Sequence, residues 1–217
     1  MTFGLVHGGA HGAWCWDRVI AGLEAEGHRA VAPELPCEDE AAGTAEYADV
    51  VADALADRDE PVVLVGHSLG GLTVPLVAER RPVRRMVFVA GFLPVPGKSF
   101  RDQQAGEPDM NFPYQGGRAG LRERFYHACA PEDADLAMAR LRRQALKPYT
   151  ETTPLRAWPD VPSTYVLCTE DRACNPEWSR RAIPERIGVT PLELAGSDHS
   201  PFLGRPAELT RLLLEAA

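Results

Sequence analysis

Several things are scarce in this 217-residue sequence, and each scarcity closes off a class of function. No apolar run approaches the length of a membrane span. No cluster of Lys and Arg offsets the formal net charge of -8, so nucleic acid and anionic membrane are not expected partners. Cysteines number only five: Cys15, Cys37, Cys129, Cys168 and Cys174. An odd count without a C-x-x-C pair argues for reduced thiols and against a zinc site. The dinucleotide fingerprint G-x-G-x-x-G is missing from the glycine-rich stretch His7 to Trp14, and no acidic residue follows at the ribose spacing. Met1 to His7 has no cationic region and leads straight into a predicted strand, so no signal peptide is expected and a cytoplasmic location is. Neither metal nor cofactor is anticipated.

The length suits one domain with a substantial core, and the hydrophobic (45%) and charged (25%) fractions are those of a soluble globular chain. Its centre is Val62-Val63-Leu64-Val65-Gly66-His67-Ser68-Leu69-Gly70-Gly71. Four apolar residues predict a buried parallel strand, and Leu72 to Ala78 predicts a helix. Between them lies G-x-S-x-G, a turn that lifts the Ser68 hydroxyl clear of the sheet. Such a turn strains the serine backbone and leaves no room for a Cβ at Gly66 or Gly70.

Strands are predicted at Thr2–Val6, His28–Ala32, Arg85–Ala90, Thr164–Cys168 and Pro191–Leu194, with helices over Trp14–Glu26, Thr44–Ala56 (Thr44 as the cap), Pro176–Ile187 and Pro206–Glu215. This alternation predicts an α/β fold with a six-stranded, mostly parallel, doubly wound sheet. From Gly91 to about Asp160 no strand signal appears, and one helix stands out, opened by Pro131. The division is therefore residues 1–94 and 161–217 as core and 95–160 as a helical lid.

A serine hydroxyl needs a base, and the base needs an orienting acid. Only His127 and His199 follow the serine. His199 stands in a loop past the last strand, where ligands bind in such sheets, and is the expected base. Asp171, past the fifth strand, is the expected acid, with Glu170 and Asp198 as competitors. The oxyanion hole requires two N–H donors, for which Leu69 and Gly9 are placed. His11, Phe92, Phe112, Tyr114, Phe125, Tyr126 and Phe202 are candidate pocket residues. His7 and His67 are read as hydrogen-bonding backbone near the elbow.

The elbow Gly66-His67-Ser68-Leu69-Gly70-Gly71, the entry His7-Gly8-Gly9-Ala10-His11-Gly12-Ala13-Trp14, and the loops Cys168-Thr169-Glu170-Asp171 and Asp198-His199 together resemble one branch of the α/β-hydrolases. It comprises plant methyl esterases acting on methyl salicylate and methyl jasmonate, their bacterial relatives and the hydroxynitrile lyases. Cys129-Ala130-Pro131-Glu132-Asp133 and Ile187-Gly188-Val189-Thr190 resemble it too. The resemblance implies Ser68, Asp171 and His199 as triad, Gly9 and Leu69 as oxyanion donors, no cofactor, and a pocket between core and lid. Two departures stand out. The lid is shorter than in the plant enzymes. Gly8 and Ser200 occupy positions where the lyases carry threonine and lysine, which disfavours lyase chemistry.

The leading expectation is a serine hydrolase that cleaves a small, largely apolar carboxylic ester through an acyl-enzyme, as monomer or homodimer. Thioester hydrolysis, C–C bond hydrolysis or a cofactor-free lyase reaction would use the same fold. A non-catalytic small-ligand receptor is the remaining alternative.

Overall fold

The computed structural model describes residues 1–113 and 116–217. Among these, six strands form one sheet: β1 (Thr2–Val6), β2 (Arg29–Val31), β3 (Val62–His67), β4 (Val83–Val89), β5 (Ser163–Cys168) and β6 (Leu192–Leu194), in the order β2-β1-β3-β4-β5-β6. Every neighbouring pair is parallel. A parallel sheet must be covered on both faces, and the alternation along β3 shows how. Val62 and Leu64 enter one core with Tyr47, Val51, Val77 and Trp178, whereas Val63 and Val65 enter the other with Phe3, Trp16, Leu23 and Leu209. The first core is roofed by α2 (Thr44–Ala54), α3 (Val74–Ala78) and α8 (Pro176–Ile187); α1 (Asp17–Ala25) and α10 (Pro206–Ala216) close the second. No helix among the described residues is long and apolar enough to cross a membrane.

Two local expectations are corrected. The helix expected from Trp14 is a 3-10 turn over Ala13–Trp16 followed by α1. Thr44 is not the cap of α2: Gly43 precedes the helix and its N–H is bound by the Glu46 carboxylate at 2.7 Å. Thr44 instead gives its N–H and hydroxyl to Glu151 of the insertion, at 2.6 and 2.7 Å.

Between β4 and β5 the described chain holds four helices, α4 (Phe100–Gly106), α5 (Gly117–Tyr126), α6 (Pro131–Arg140) and α7 (Lys147–Thr150), with isolated bridges Ser99–Thr152 and Asn111–Cys174. Only α6 was legible in the sequence. The start of α4 carries a capping exchange between Ser99 and Asp102, whose N–H reaches Ser99 Oγ at 3.0 Å. The insertion is tied to the core by Arg18, which grips Asp133 of α6 at 2.7 and 2.5 Å. Backbone bonds from Arg142 to Ala10 and from Ala145 to Cys37, both 2.7 Å, reinforce the tie. A final short helix, α9 (Pro201–Gly204), links the base loop to α10.

The elbow is wedged between the first and fourth strands. A Cβ on Gly70 would stand 2.7 Å from the carbonyl oxygens of both Val6 and His7, and one on Gly66 would stand 2.6 Å from Val74 Cγ2. Backbone atoms cannot step aside as a side chain can, so Gly70→Ala is expected to cost about 1–3 kcal/mol by overpacking. Gly106, at the end of α4, has open space around it, and Gly106→Ala is expected to be neutral or to add up to ~1 kcal/mol through helix propensity. Urea denaturation of the two variants checks this contrast; equal midpoints would refute it.

Candidate active site

Ser68 follows directly on β3 with φ of +49°, in the left-handed region that a side-chain-bearing residue rarely adopts. The strain is of order 1–3 kcal/mol and persists because the surroundings fix the turn. The chain leaves Ser68 in a 3-10 turn over Ser68–Leu72, and the Ser68 carbonyl accepts the Phe92 N–H at 2.9 Å. The hydroxyl-bearing residue remains 8% exposed, facing a cavity rather than bulk water.

Asp171 lies in the loop after β5, His199 in the loop after β6. His199 Nδ1–H donates to Asp171 Oδ2 at 2.7 Å, both side chains being about 2% exposed. The other Asp171 oxygen accepts N–H groups of Ala173 and Cys174 at 2.6 and 2.9 Å, so the carboxylate is fixed in its own loop. With the proton on Nδ1, Nε2 of His199 is the basic nitrogen, and His199 lines the same cavity as Ser68. The imidazole is held from two sides. His67 Nε2–H donates to the His199 carbonyl at 2.8 Å, and Phe125 of α5 stacks on the ring at 5.3 Å with an interplanar angle of 27°.

The two competitors for the acid have other partners. Glu170 is largely exposed and faces His127 at 3.9 Å. Asp198 is buried, but its carboxylate accepts N–H groups of Ser200 and Ala128, each at 2.9 Å, and the Cys129 thiol at 3.5 Å. It clasps the insertion to the base loop.

The entry loop after β1 is organised by two neutral histidines. Leu35 N–H donates to His7 Nε2 at 3.1 Å, so His7 Nδ1 carries the proton and donates to the Gly8 carbonyl at 2.9 Å. That carbonyl also accepts His11 N–H at 3.3 Å. In a trans peptide the Gly9 N–H points away from it, and Gly9 lines the cavity. His11 Nδ1–H donates to the Gly9 carbonyl at 2.9 Å, leaving Nε2 to accept the Tyr126 hydroxyl at 2.7 Å. Burial lowers the pKa of His7, pushes His11 down to about 3 and holds His67 well below its ordinary value. Burial likewise raises the Cys15 and Cys168 thiols, and all five cysteines are free.

The cavity measures about 260 Å³. Of the candidate pocket residues, His11, Phe92 and Phe125 line it. The other placements differ. Phe112 turns outward and is 41% exposed. Tyr126 lies behind the wall, tethered through its hydroxyl to His11. Phe202 is fully buried outside the cavity, edge-on to His67 at 4.9 Å. Tyr114 lies outside the described residues. The remaining lining comes from Phe100, Gln104, Asn111, Leu121, Arg124, Tyr149 and Ala173, which sequence reasoning did not single out. Leu121 and Phe125 at i and i+4 were a usable signal; Tyr149, in a four-residue helix, offered none.

A serine on a strained strand-to-helix turn, sharing a cavity with a buried imidazole–carboxylate pair at the C-terminal edge of a parallel sheet, is the constellation of a serine hydrolase. The chain belongs to the alpha/beta hydrolase family, whose model matches residues 5–212. It is 34% identical to "Probable esterase PIR7A" of Oryza sativa subsp. indica, with 99% of this chain and 96% of that protein covered. It is 32% identical to "Salicylic acid-binding protein 2" of Nicotiana tabacum, over 99% of this chain and 96% of the relative. The crystal structure of polyneuridine aldehyde esterase superposes with a TM-score of 0.83 at 25% identity, covering 99% of this chain and 98% of the other.

The neutral histidines impose a pH dependence on stability. Once unfolded they bind protons near their ordinary value of 6.5, whereas folded His11 does so only near 3. As pH falls below about 6.5 the unfolded state therefore takes up protons that the folded state does not, and stability drops at up to ~1.4 kcal/mol per pH unit per group. The urea midpoint is expected to fall between about pH 7 and about pH 5, and His11→Asn to flatten that fall. Identical slopes for the variant and the wild type would contradict this assignment.

Proposed function

We propose that the chain is a serine carboxylic-ester hydrolase that cleaves a small, largely apolar ester, with Ser68, His199 and Asp171 as its triad. The observation that carries this reading is the buried 2.7 Å His199–Asp171 hydrogen bond beside a serine held at positive φ in a common cavity. Ser68 Oγ attacks the ester carbonyl while His199 Nε2 takes its proton. Asp171 fixes the tautomer and stabilises the imidazolium. The carbonyl oxygen gains negative charge and is met by the N–H groups of Leu69 and Gly9, neither of which has a protein acceptor among the described residues. His199 returns the proton to the leaving alkoxide, and water then releases the acyl group by the same route.

Several features support the small substrate class. The cavity sits at the low end of the range for ligand pockets. Phe92, Phe100, Leu121 and Phe125 give it an apolar wall, beside the polar side chains of Gln104, Asn111 and Arg124. Residues 95–160 act as the lid that keeps water from the acyl-enzyme, and Asp198 anchors that lid to the base loop.

The test is hydrolysis of p-nitrophenyl esters from acetyl to decanoyl. Wild-type activity is expected to fall with chain length and to be lost in Ser68→Ala. Asp171→Asn, which permits the wrong tautomer, is expected to lose about 10³–10⁴-fold in kcat. Full activity in Ser68→Ala would sink this reading. Turnover of a thioester or a β-diketone in place of every oxygen ester would move the chemistry to the alternatives.

A further inference from the structure

Tyr149 is a lid residue whose hydroxyl has no structural task. It belongs to α7, where its N–H donates to the Leu146 carbonyl at 2.9 Å, and its ring packs against Phe100 of α4 at 5.9 Å. Those contacts fix the ring. Among the described residues the hydroxyl itself has no hydrogen-bond partner, yet Tyr149 lines the cavity together with Gly9 and Ser68. A side-chain-bearing residue at position 9 would place its Cβ 2.6 Å from Tyr149 Oη. The hydroxyl therefore occupies the space beside the Gly9 Cα where a side chain would otherwise stand. The Leu69 side chain borders the same point at 3.2 Å.

The position is chemically specific, because Gly9 and Leu69 are the two residues whose N–H groups face the developing oxyanion. We infer that Tyr149 is a further catalytic residue, a third hydrogen-bond donor that the lid brings to the carbonyl oxygen of the bound ester. This inference rests on the ester-hydrolase reading and adds a named group to it. As the bond from Ser68 Oγ to the carbonyl carbon forms, the carbonyl π pair moves onto oxygen, and the Tyr149 O–H donates to that oxygen. No bond to Tyr149 forms or breaks, and the phenolic proton stays where it is. Burial pushes the phenol up to about 12, which keeps the donor protonated across the working range of the base.

The placement also has a logic in the lid. The donor is carried on α7, which packs against α4 within the insertion, so the insertion itself supplies this group to the site. A Cβ at position 9 would have to push this hydroxyl aside.

The test is Tyr149→Phe, which keeps the ring and removes only the unpartnered hydroxyl, so the thermal midpoint should stay at the wild-type value. With a p-nitrophenyl ester, kcat is expected to fall about ten- to hundredfold with KM within about twofold, the pattern of an interaction made in the transition state. A second readout is independent of turnover. Ser68 is labelled with an alkyl fluorophosphonate, followed by mass spectrometry, with Ser68→Ala as the blank. The variant is expected to label about tenfold more slowly, because phosphonylation places a similar charged oxygen in the same hole. Wild-type rates of both turnover and labelling in Tyr149→Phe would overturn the inference, as would a rise in KM with unchanged kcat. If no ester is turned over by the wild type but labelling is slowed in the variant, the ester reading fails and the donor role stands.

Discussion

The structure depends on one tight backbone crossing. At the end of β3 the chain reverses through Ser68 at positive φ, and the turn is pressed so closely against β1 that Gly70 sits against the Val6 and His7 carbonyls. A turn this constrained cannot relax, so the nucleophile is displayed in one orientation without help from its own side chain. The crossing also fixes its neighbours. The entry loop must leave β1 alongside the elbow, and the Phe92 segment after β4 is pinned to it through the Ser68 carbonyl. Loops from three strands are thus registered against one another before base or acid is considered.

Around that crossing the protein buries polar groups and pairs only part of them: His67 Nδ1, Thr73 Oγ1 and Ser200 Oγ have no hydrogen-bond partner among the described residues. His7, His11 and His67 are neutral because they are buried, and each turns a ring nitrogen into a fixed strut: His7 to the Gly8 carbonyl, His11 to the Gly9 carbonyl, His67 to the His199 carbonyl. Imidazoles suit this use because one ring supplies a donor and an acceptor in a rigid plane. The lid joins the same network. Asp198 accepts N–H groups from both the base loop and the insertion, Tyr126 reaches down to His11, and Phe125 covers the base. Insertion and base loop thus share hydrogen bonds and a ring contact.

How much of this was legible in the sequence follows from how local each signal is. The elbow, the alternation of strands and helices, and the chain order of Ser68, Asp171 and His199 are short-range patterns written by steric and periodic rules, and all six strands were found within one or two residues at each end. The lid was visible only as an interruption. Its helices are short, and α5, Gly-Arg-Ala-Gly-Leu-Arg-Glu-Arg-Phe-Tyr, lacks the broad apolar stripe of a core helix because its large apolar residues are Leu121, Phe125 and Tyr126 alone. Aromatic residues there could be recognised as pocket candidates but not sorted. Phe112 faces solvent and Phe202 packs against His67 outside the cavity, whereas Phe100 and Tyr149 line it. Such sorting depends on long-range packing that no window of sequence contains. Thr44 shows the same limit on a smaller scale: a residue type that favours helix caps was drawn instead to Glu151, 107 positions away.

The strand order carries a consequence for how the protein acquires its activity. Gly9 follows β1, Ser68 follows β3, Asp171 follows β5 and His199 follows β6, so the proposed site draws on four of the six strands and reaches the edge strand β6. Pairing β3 with β1 joins Val63 to Phe3, far apart in the chain, and the insertion separates β4 from β5 by a further long loop. Contacts of such high sequence separation form slowly and late. No fragment of the sheet contains a working subset of these groups. In refolding from denaturant, recovery of catalysis is therefore a clock for the final ordering of the whole sheet, and a collapsed intermediate with most of its helix content would still be silent.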